Sequence, residues 1–254
     1  MSERVVVSIG TTHPWNVAGL GLDLRVAETF GVRDLTVVAG VTAQDAGGLH
    51  AALALPEAIV RAQFDALPMD EVDAFRVGAL IGAANVELVA AFLADHPKTP
   101  AVVDPVFGAT LGGALLDDAA FATFRDGLAR LPSVVLTPNV EEASRLLGRA
   151  SLAAGDVADA AAELQARGAR AVLIKGGHLD GDPVDALATA RGVQLYRDER
   201  MPGAMRGGGC VLAMTLACEL ARGLPLADAV QSARTYVRTR IASRQRFGGL
   251  QVAY

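Results

Sequence analysis

Aromatic residues make up only 5% of this 254-residue chain. Its core must therefore be built mainly from Ala, Val and Leu, and an apolar share of 52% allows a large one. Cysteine is almost absent. Cys210 and Cys218 stand eight positions apart on what reads as one helix, more than a turn from each other. That spacing excludes a disulfide scaffold and points to a reducing cytoplasm. Long apolar runs are missing too. Residues 5–22 carry no charge, but Ser8, Thr11, Thr12, His13, Pro14 and Asn16 interrupt them, so they read as a strand and a polar loop rather than a membrane span. The first residues, MSERVVVSIG, lack a secretory layout. Positive charge is in deficit. A net charge of −5 argues against a general nucleic-acid binder. Arg238, Arg240, Arg244 and Arg246 read as a solvated helix end, with contact to an anionic ligand as the less favoured option. His50, His96 and His178 show no metal-ligand spacing, so no zinc site is assigned.

What is present is alternation. Strand-like runs at Val5–Ile9, Leu35–Ala39, Ala74–Val77, Ala101–Asp104, Val134–Leu136 and Ala171–Ile174 alternate with helical patterns. Helices are expected over about 18–30, from Pro56 toward Leu67, over 84–94, 157–167, 209–222 and 226–243, with Asp117 or Asp118 and Asn139 as caps. Ala186–Leu195 reads as a weaker β pair around Gly192. This predicts an α/β fold, a mostly parallel sheet with helices on both faces, in one domain over 1–254. No repeat, low-complexity stretch or linker interrupts it.

The strongest single feature is Gly207-Gly208-Gly209-Cys210 before the apolar run Val211–Ala217. Glycines let successive N–H groups face one side, and a helix start adds free N–H groups and its positive dipole end. Together they suit phosphate. The same field is expected to favour a Cys210 thiolate. A glycine-rich loop before a core helix, with Cys210 as a small buried hydrophobe, is the competing reading. Other polar and glycine signals fall at expected strand ends, where ligands bind in such folds. Asp104 can hold Mg²⁺ through water or simply shape the turn before Pro105. Asn139 and Glu142 share one helix face, which a capping pair alone explains. Lys175 before Gly176-Gly177 can neutralise transferred charge or snorkel at an edge. His13 and Trp15 are either a ligand-facing pair or a surface loop with one packed aromatic.

The ordered set Thr42-Ala43-Gln44, Asp104-Pro105-Val106, Thr137-Pro138-Asn139-Val140-Glu141-Glu142-Ala143, Lys175-Gly176-Gly177-His178-Leu179 and the Gly-Cys loop resembles hydroxymethylpyrimidine/phosphomethylpyrimidine kinases of thiamine biosynthesis, within the ribokinase-like superfamily. The match runs from about residue 4 to 244. It implies a ribokinase-like three-layer α/β/α sandwich and a cytoplasmic, homodimeric kinase using ATP and Mg²⁺. The expected partner is a small pyrimidine, with no nucleic acid and no membrane. The acceptor it implies is 4-amino-5-hydroxymethyl-2-methylpyrimidine, then its monophosphate. The resemblance further implies that Gln44 and Asp23 bind the aminopyrimidine, with Gly78, Leu80 and Phe107 walling it. Asp104 and Glu142 organise Mg²⁺, Asn139 and Gly208 lie near the nucleotide phosphates, and Lys175 approaches them. Gly207, Gly208 and Gly209 form the anion hole. Cys210 stands where many ribokinase relatives have an aspartate base.

This chain departs from the pattern at several places. Met205-Arg206 replaces a threonine-histidine pair, and Gly208 replaces the usual threonine of Gly-Thr-Gly-Cys. The loop from Gly10 to Gly19 is one residue longer and carries His13 and Trp15. Phe107–Gly113 lacks the lysine usual there, and Asp45 is expected to add negative charge beside the pocket. A kinase for another heteroaromatic alcohol, such as a pyridoxal-like vitamer, and a non-catalytic pyrimidine or nucleotide sensor stay open as alternatives.

Overall fold

A computed structural model describes residues 3–108, 113–177, 179, 181–203 and 205–254. Its centre is a nine-stranded sheet in the order β3-β2-β1-β4-β5-β6-β7-β8-β9. The strands are β1 (Arg4–Thr12), β2 (Val32–Asp45), β3 (Gly48–Ala54), β4 (Ala74–Val77), β5 (Ala101–Val103), β6 (Val134–Leu136), β7 (Ala171–Ile174), β8 (Val184–Thr189) and β9 (Gly192–Arg197). From β2 through β7 neighbours run parallel; β3, β8 and β9 add antiparallel pairings at the edges. The central parallel strands β4 to β7 are short, and they are almost wholly apolar because helices cover both faces of the sheet.

Strand alternation divides those side chains between two cores. Val7, Ile9, Phe75, Val77, Val103 and Leu136 face one side. There they meet α2 (Glu57–Asp65), α3 (Ala83–Ala94), α4 (Asp118–Asp126), α5 (Val140–Leu147) and α6 (Val157–Ala166). Val6, Ala74, Val102, Val135 and Leu173 face the other, against α1 (Gly19–Thr29), α7 (Gly208–Ala221) and α8 (Leu226–Ala242). This is the expected three-layer sandwich. Among the described residues no helix is long and apolar enough to cross a membrane. Both cysteines are free, and Cys218 is buried in α7.

Two features differ from the sequence reading. β2 is longer than Leu35–Ala39 and returns as β3, whose Ala-rich segment gives no strand signal on its own. A second hairpin, β10 (Gln245–Phe247) and β11 (Leu250–Val252), closes the chain around Gly248 and Gly249, both at positive φ. The arginines expected as a solvated helix end are partly tied down. Arg238 donates to the Glu199 carbonyl at 2.8 Å, and Arg240 donates to the Ala253 carbonyl and lies over the Tyr254 ring. Arg244 and Arg246 lie beyond α8, which ends at Ala242.

Candidate active site

The carboxyl ends of β1, β2, β4, β5 and β7 open into one cleft of about 710 Å³, a volume suited to a small ligand. Asp23, Gln44, Gly78, Asp104, Asn139, Glu142, Lys175 and Gly207 to Cys210 all line it. The sequence signals that share a place in the topology thus share one space.

At its centre Lys175 Nζ donates to Asp104 Oδ1 at 2.7 Å. Asp104 follows β5 and Lys175 follows β7, and the Lys175 N–H is registered by the Pro138 carbonyl at 2.8 Å. Burial works against the lysine charge, but Asp104 and Glu142 outweigh it and raise the Lys175 pKa. The glycine loop stands over this pair. A Cβ on Gly209 would lie 3.2 Å from Lys175 Nζ and 3.4 Å from Asp104 Oδ2. Gly207 has φ +81, and a Cβ there would meet the Val17 carbonyl oxygen at 2.4 Å, so the turn into α7 requires glycine. α7 begins at Gly208, and Gly208, Gly209 and Cys210 of its first turn line the cleft, where a helix start with free N–H groups suits an anion.

Asn139 and Glu142 form the capping pair. The Glu142 N–H donates to Asn139 Oδ1 at 2.8 Å, and the Asn139 N–H donates to Glu142 Oε2 at 2.7 Å. The box leaves Glu142 Oε1 outside it. Burial pushes the Glu142 carboxyl up to about 7, with Lys175 opposing and Asp104 adding. Among the described residues no group of three or more His, Cys, Asp or Glu is arranged to hold a metal. Mg²⁺ does not need one: it keeps several waters and uses one or two carboxylates plus substrate phosphates. Asp104 and Glu142, both on the cleft wall beside Lys175, fit that kind of site.

Behind the pair lies a residue read from sequence only as part of a strand. Arg76, on β4, is fully buried. Alternation points it to the α1/α7 side, where its Nε is 3.3 Å from Asp23 Oδ2 and its Nη2 is 3.8 Å from Asp104 Oδ2. Burial disfavours its charge, but Asp23, Cys210 and Asp104 together raise its pKa above the ordinary arginine value. Gly78 leaves room for it: a Cβ there would fall 2.0 Å from Arg76 Nη1. Burial pushes Asp23 up to about 7 against the pull of Arg76. The signal available in sequence was an arginine inside Ala74–Val77, too short and apolar a strand to expose it.

Cys210 sits at the first turn of α7 as expected, but its ionisation goes the other way. Burial raises the thiol pKa, Asp23 and Asp104 add to this, and Arg76 and the Gly19 backbone only partly oppose it. The desolvation of a buried thiolate outweighs the helix field.

The acceptor-side expectations divide. Gln44 Nε2 donates to Thr42 Oγ1 at 3.2 Å, and Gln44 Oε1 accepts from Arg206 Nη2 at 2.6 Å. His13 is buried on the cleft wall. Burial lowers its pKa, offset in part by the Ala18 backbone. Trp15 parts from it and packs edge-on to Phe247 on the C-terminal hairpin, centroids 5.4 Å apart. Leu80 and Phe107 are not on the cleft wall. Both pack in the α2–α6 core, Phe107 against Phe121 and Phe124, and the wall there is made by Ala79, Val106, Gly108 and Leu115. Asp45 points away, taken by His50 Nε2 at 2.8 Å and the Gly47 N–H at 2.7 Å. It adds no charge to the pocket. His178 and residues 109–112 of the Phe107–Gly113 stretch lie outside the described residues.

The family model for phosphomethylpyrimidine kinase matches residues 14–253. The chain belongs to this family. A hydroxymethylpyrimidine/phosphomethylpyrimidine kinase from Streptomyces coelicolor is 37% identical over 98% of this chain and 93% of its own length. One from Rhizobium meliloti is 35% identical over 95% and 92%. Among solved structures, phosphomethylpyrimidine kinase from Clostridium difficile superimposes with a TM-score of 0.83 at 26% identity, covering 94% of this chain and all of that one. An ADP complex of pyridoxal kinase from Bacillus subtilis gives 0.90 at 26% identity, covering 99% and 97%. The chain is therefore a kinase of the phosphomethylpyrimidine kinase family with a ribokinase-like fold, and its relatives place that family in thiamine biosynthesis.

Proposed function

We propose that this kinase transfers the terminal phosphoryl group of ATP to the hydroxymethyl oxygen of 4-amino-5-hydroxymethyl-2-methylpyrimidine, and then to the phosphate of the product. The observation that carries the reading is one cleft with two chemically different ends. The Asp104–Lys175 pair under the glycine loop suits polyphosphate, and Gln44 with Asp23 suits an aminopyrimidine. Gln44 holds donor and acceptor atoms on one planar amide, which match an amino group beside a ring nitrogen. Gly78 keeps the wall thin where Arg76 and the ring approach.

Phosphoryl transfer asks the protein mainly to position reactants and balance charge. The N–H groups of Gly208, Gly209 and Cys210 face the transferred group, and Lys175 offsets its charge. Asn139 holds the start of α5 at the phosphate side. Asp104 and Glu142 would hold Mg²⁺, which would supply positive charge against the phosphate oxygens. Cys210 takes the alcohol proton, and only its thiolate can do so. Because burial holds the thiol protonated near neutrality, the first transfer should speed up by about tenfold per pH unit above pH 7 until the thiol ionises.

The second acceptor is already anionic and needs a base less. Single-turnover rates of Cys210→Ala test this. The first transfer should fall at least about tenfold more than the second and lose its alkaline limb. Equal losses would remove the base role. A pyridoxal-like acceptor is the second reading, and it rests on the B. subtilis pyridoxal kinase, which superimposes on 99% of the chain.

A further inference from the structure

Arg206 stands between the two ends of the cleft. Its backbone N–H donates to the Gln251 carbonyl at 2.8 Å, and the residue bridges in parallel with Val252, so β11 anchors it directly before Gly207. Its side chain enters the cleft, where Nη2 donates to Gln44 Oε1 at 2.6 Å. Its Nε and Nη1 are buried and meet no hydrogen-bond partner. Among the described residues no carboxylate forms an ion pair with it. Among the cleft's carboxylates Asp23 pairs with Arg76, Asp104 with Lys175, and Asp185 and Asp198 with Arg234, while Asp45 is turned outward to His50. A half-buried guanidinium with two donors unpaired and no carboxylate to balance its charge is an unfilled receptor for an anion. A neutral hydroxymethyl group cannot fill it.

Resting on the kinase reading above, we propose that Arg206 is the specificity-determining residue for the second transfer: its guanidinium, with the Nε and Nη1 donors unpaired, receives the phosphate of the monophosphorylated pyrimidine and favours that ester over the parent alcohol. The placement agrees with the chemistry. The acceptor phosphate must lie between the ring, at Gln44, and the glycine loop, which delivers the phosphoryl group. Arg206 touches Gln44 and is covalently joined to Gly207. Two phosphate-rich sites meet here, and the bond to Gln44 assigns the guanidinium to the acceptor rather than to ATP. In the transfer itself an acceptor phosphate oxygen bonds to the terminal phosphorus of ATP, the bond to the bridging oxygen breaks, and ADP leaves with that electron pair. Arg206 gains and loses no proton.

The test compares kcat/KM for the alcohol and the monophosphate in wild type, Arg206→Gln and Arg206→Lys, with calorimetric binding of the monophosphate to each. The preference for the ester over the alcohol should drop at least about tenfold in Arg206→Gln, with Arg206→Lys intermediate because lysine keeps the charge but not the planar array of donors. A preference that stays put while both acceptors lose equally assigns Arg206 to ATP or to folding and overturns the proposal. An unchanged Arg206→Gln overturns it too. If wild type phosphorylates neither acceptor, but binds the monophosphate and loses about tenfold of that affinity in Arg206→Gln, the kinase reading fails and the receptor stands.

Discussion

Replacing Arg76 with methionine removes the cation that joins Asp23 to Asp104. The Arg76 nitrogens lie 3.3 Å from Asp23 Oδ2 and 3.8 Å from Asp104 Oδ2, and the arginine and both carboxylates are almost fully buried. At an effective dielectric of about 20, each attraction is on the order of 4–5 kcal/mol. Desolvation of the ions offsets much of that in the native protein, but breaking such a group from one side typically costs about 3–5 kcal/mol, since the remaining charge stays buried. Asp23 can relieve part of it by protonating, because burial already holds it near 7. The expected loss is therefore near 3 kcal/mol, at the low end of that range. Urea unfolding followed by circular dichroism, with an unchanged m-value, measures it. Asp23→Asn combined with Arg76→Met should cost less than the two singles summed, by about 1–3 kcal/mol. Gly78→Ala, which pushes a methyl onto Nη1, should mimic the arginine loss in direction. A loss below about 1 kcal/mol for Arg76→Met, or strict additivity in the double variant, would refute the claim that this arginine organises the site.

Stability should also depend on pH through Asp34, whose carboxyl burial and Asp23 push up from 3.8 to about 8. Between those values the native protein holds a proton that the unfolded chain has lost. Stability therefore falls as pH rises, by up to ~1.4 kcal/mol per pH unit from this group. Asp34→Asn should flatten the decline of Tm between pH 5 and 8. Some slope should remain, because Asp23 and Glu142, each near 7, act in the same direction. Slopes identical to wild type would contradict this. Gly207→Ala should lower Tm and abolish turnover, because φ +81 and the Val17 carbonyl leave no place for the methyl. Wild-type turnover in that variant would show that the loop before α7 rearranges freely.

Much of this architecture is legible in the chain. β4, β6 and β7 lie where their strand-like runs predict, and the Asp117 and Asn139 caps open their helices. Asp104, Lys175 and Cys210 are legible as a set because each follows a strand or opens a helix, and topology gathers such ends. Leu80 and Phe107 are not. Both follow strand ends and both are apolar, and nothing local says that each turns into the α2–α6 core. Asp45 was legible in principle: once β2 is known to reach it, period-two alternation puts Thr42 and Gln44 in the cleft and Asp45 outside. Arg76 depends on tertiary context, since its partners lie on α1 and after β5. The thiol of Cys210 shows the limit of reading a helix start alone, because burial, visible only in the fold, decides its ionisation.

The most direct test is mass spectrometry of products from the purified protein with ATP, Mg²⁺ and a mixture of hydroxymethylpyrimidine, its monophosphate and pyridoxal, with Cys210→Ala beside it. The account predicts mono- and diphosphorylated pyrimidine as the dominant products, with the first phosphorylation strongly reduced in Cys210→Ala. Phosphorylated pyridoxal with untouched pyrimidine, or a thermal shift by the pyrimidine with no transfer to any acceptor, would contradict it.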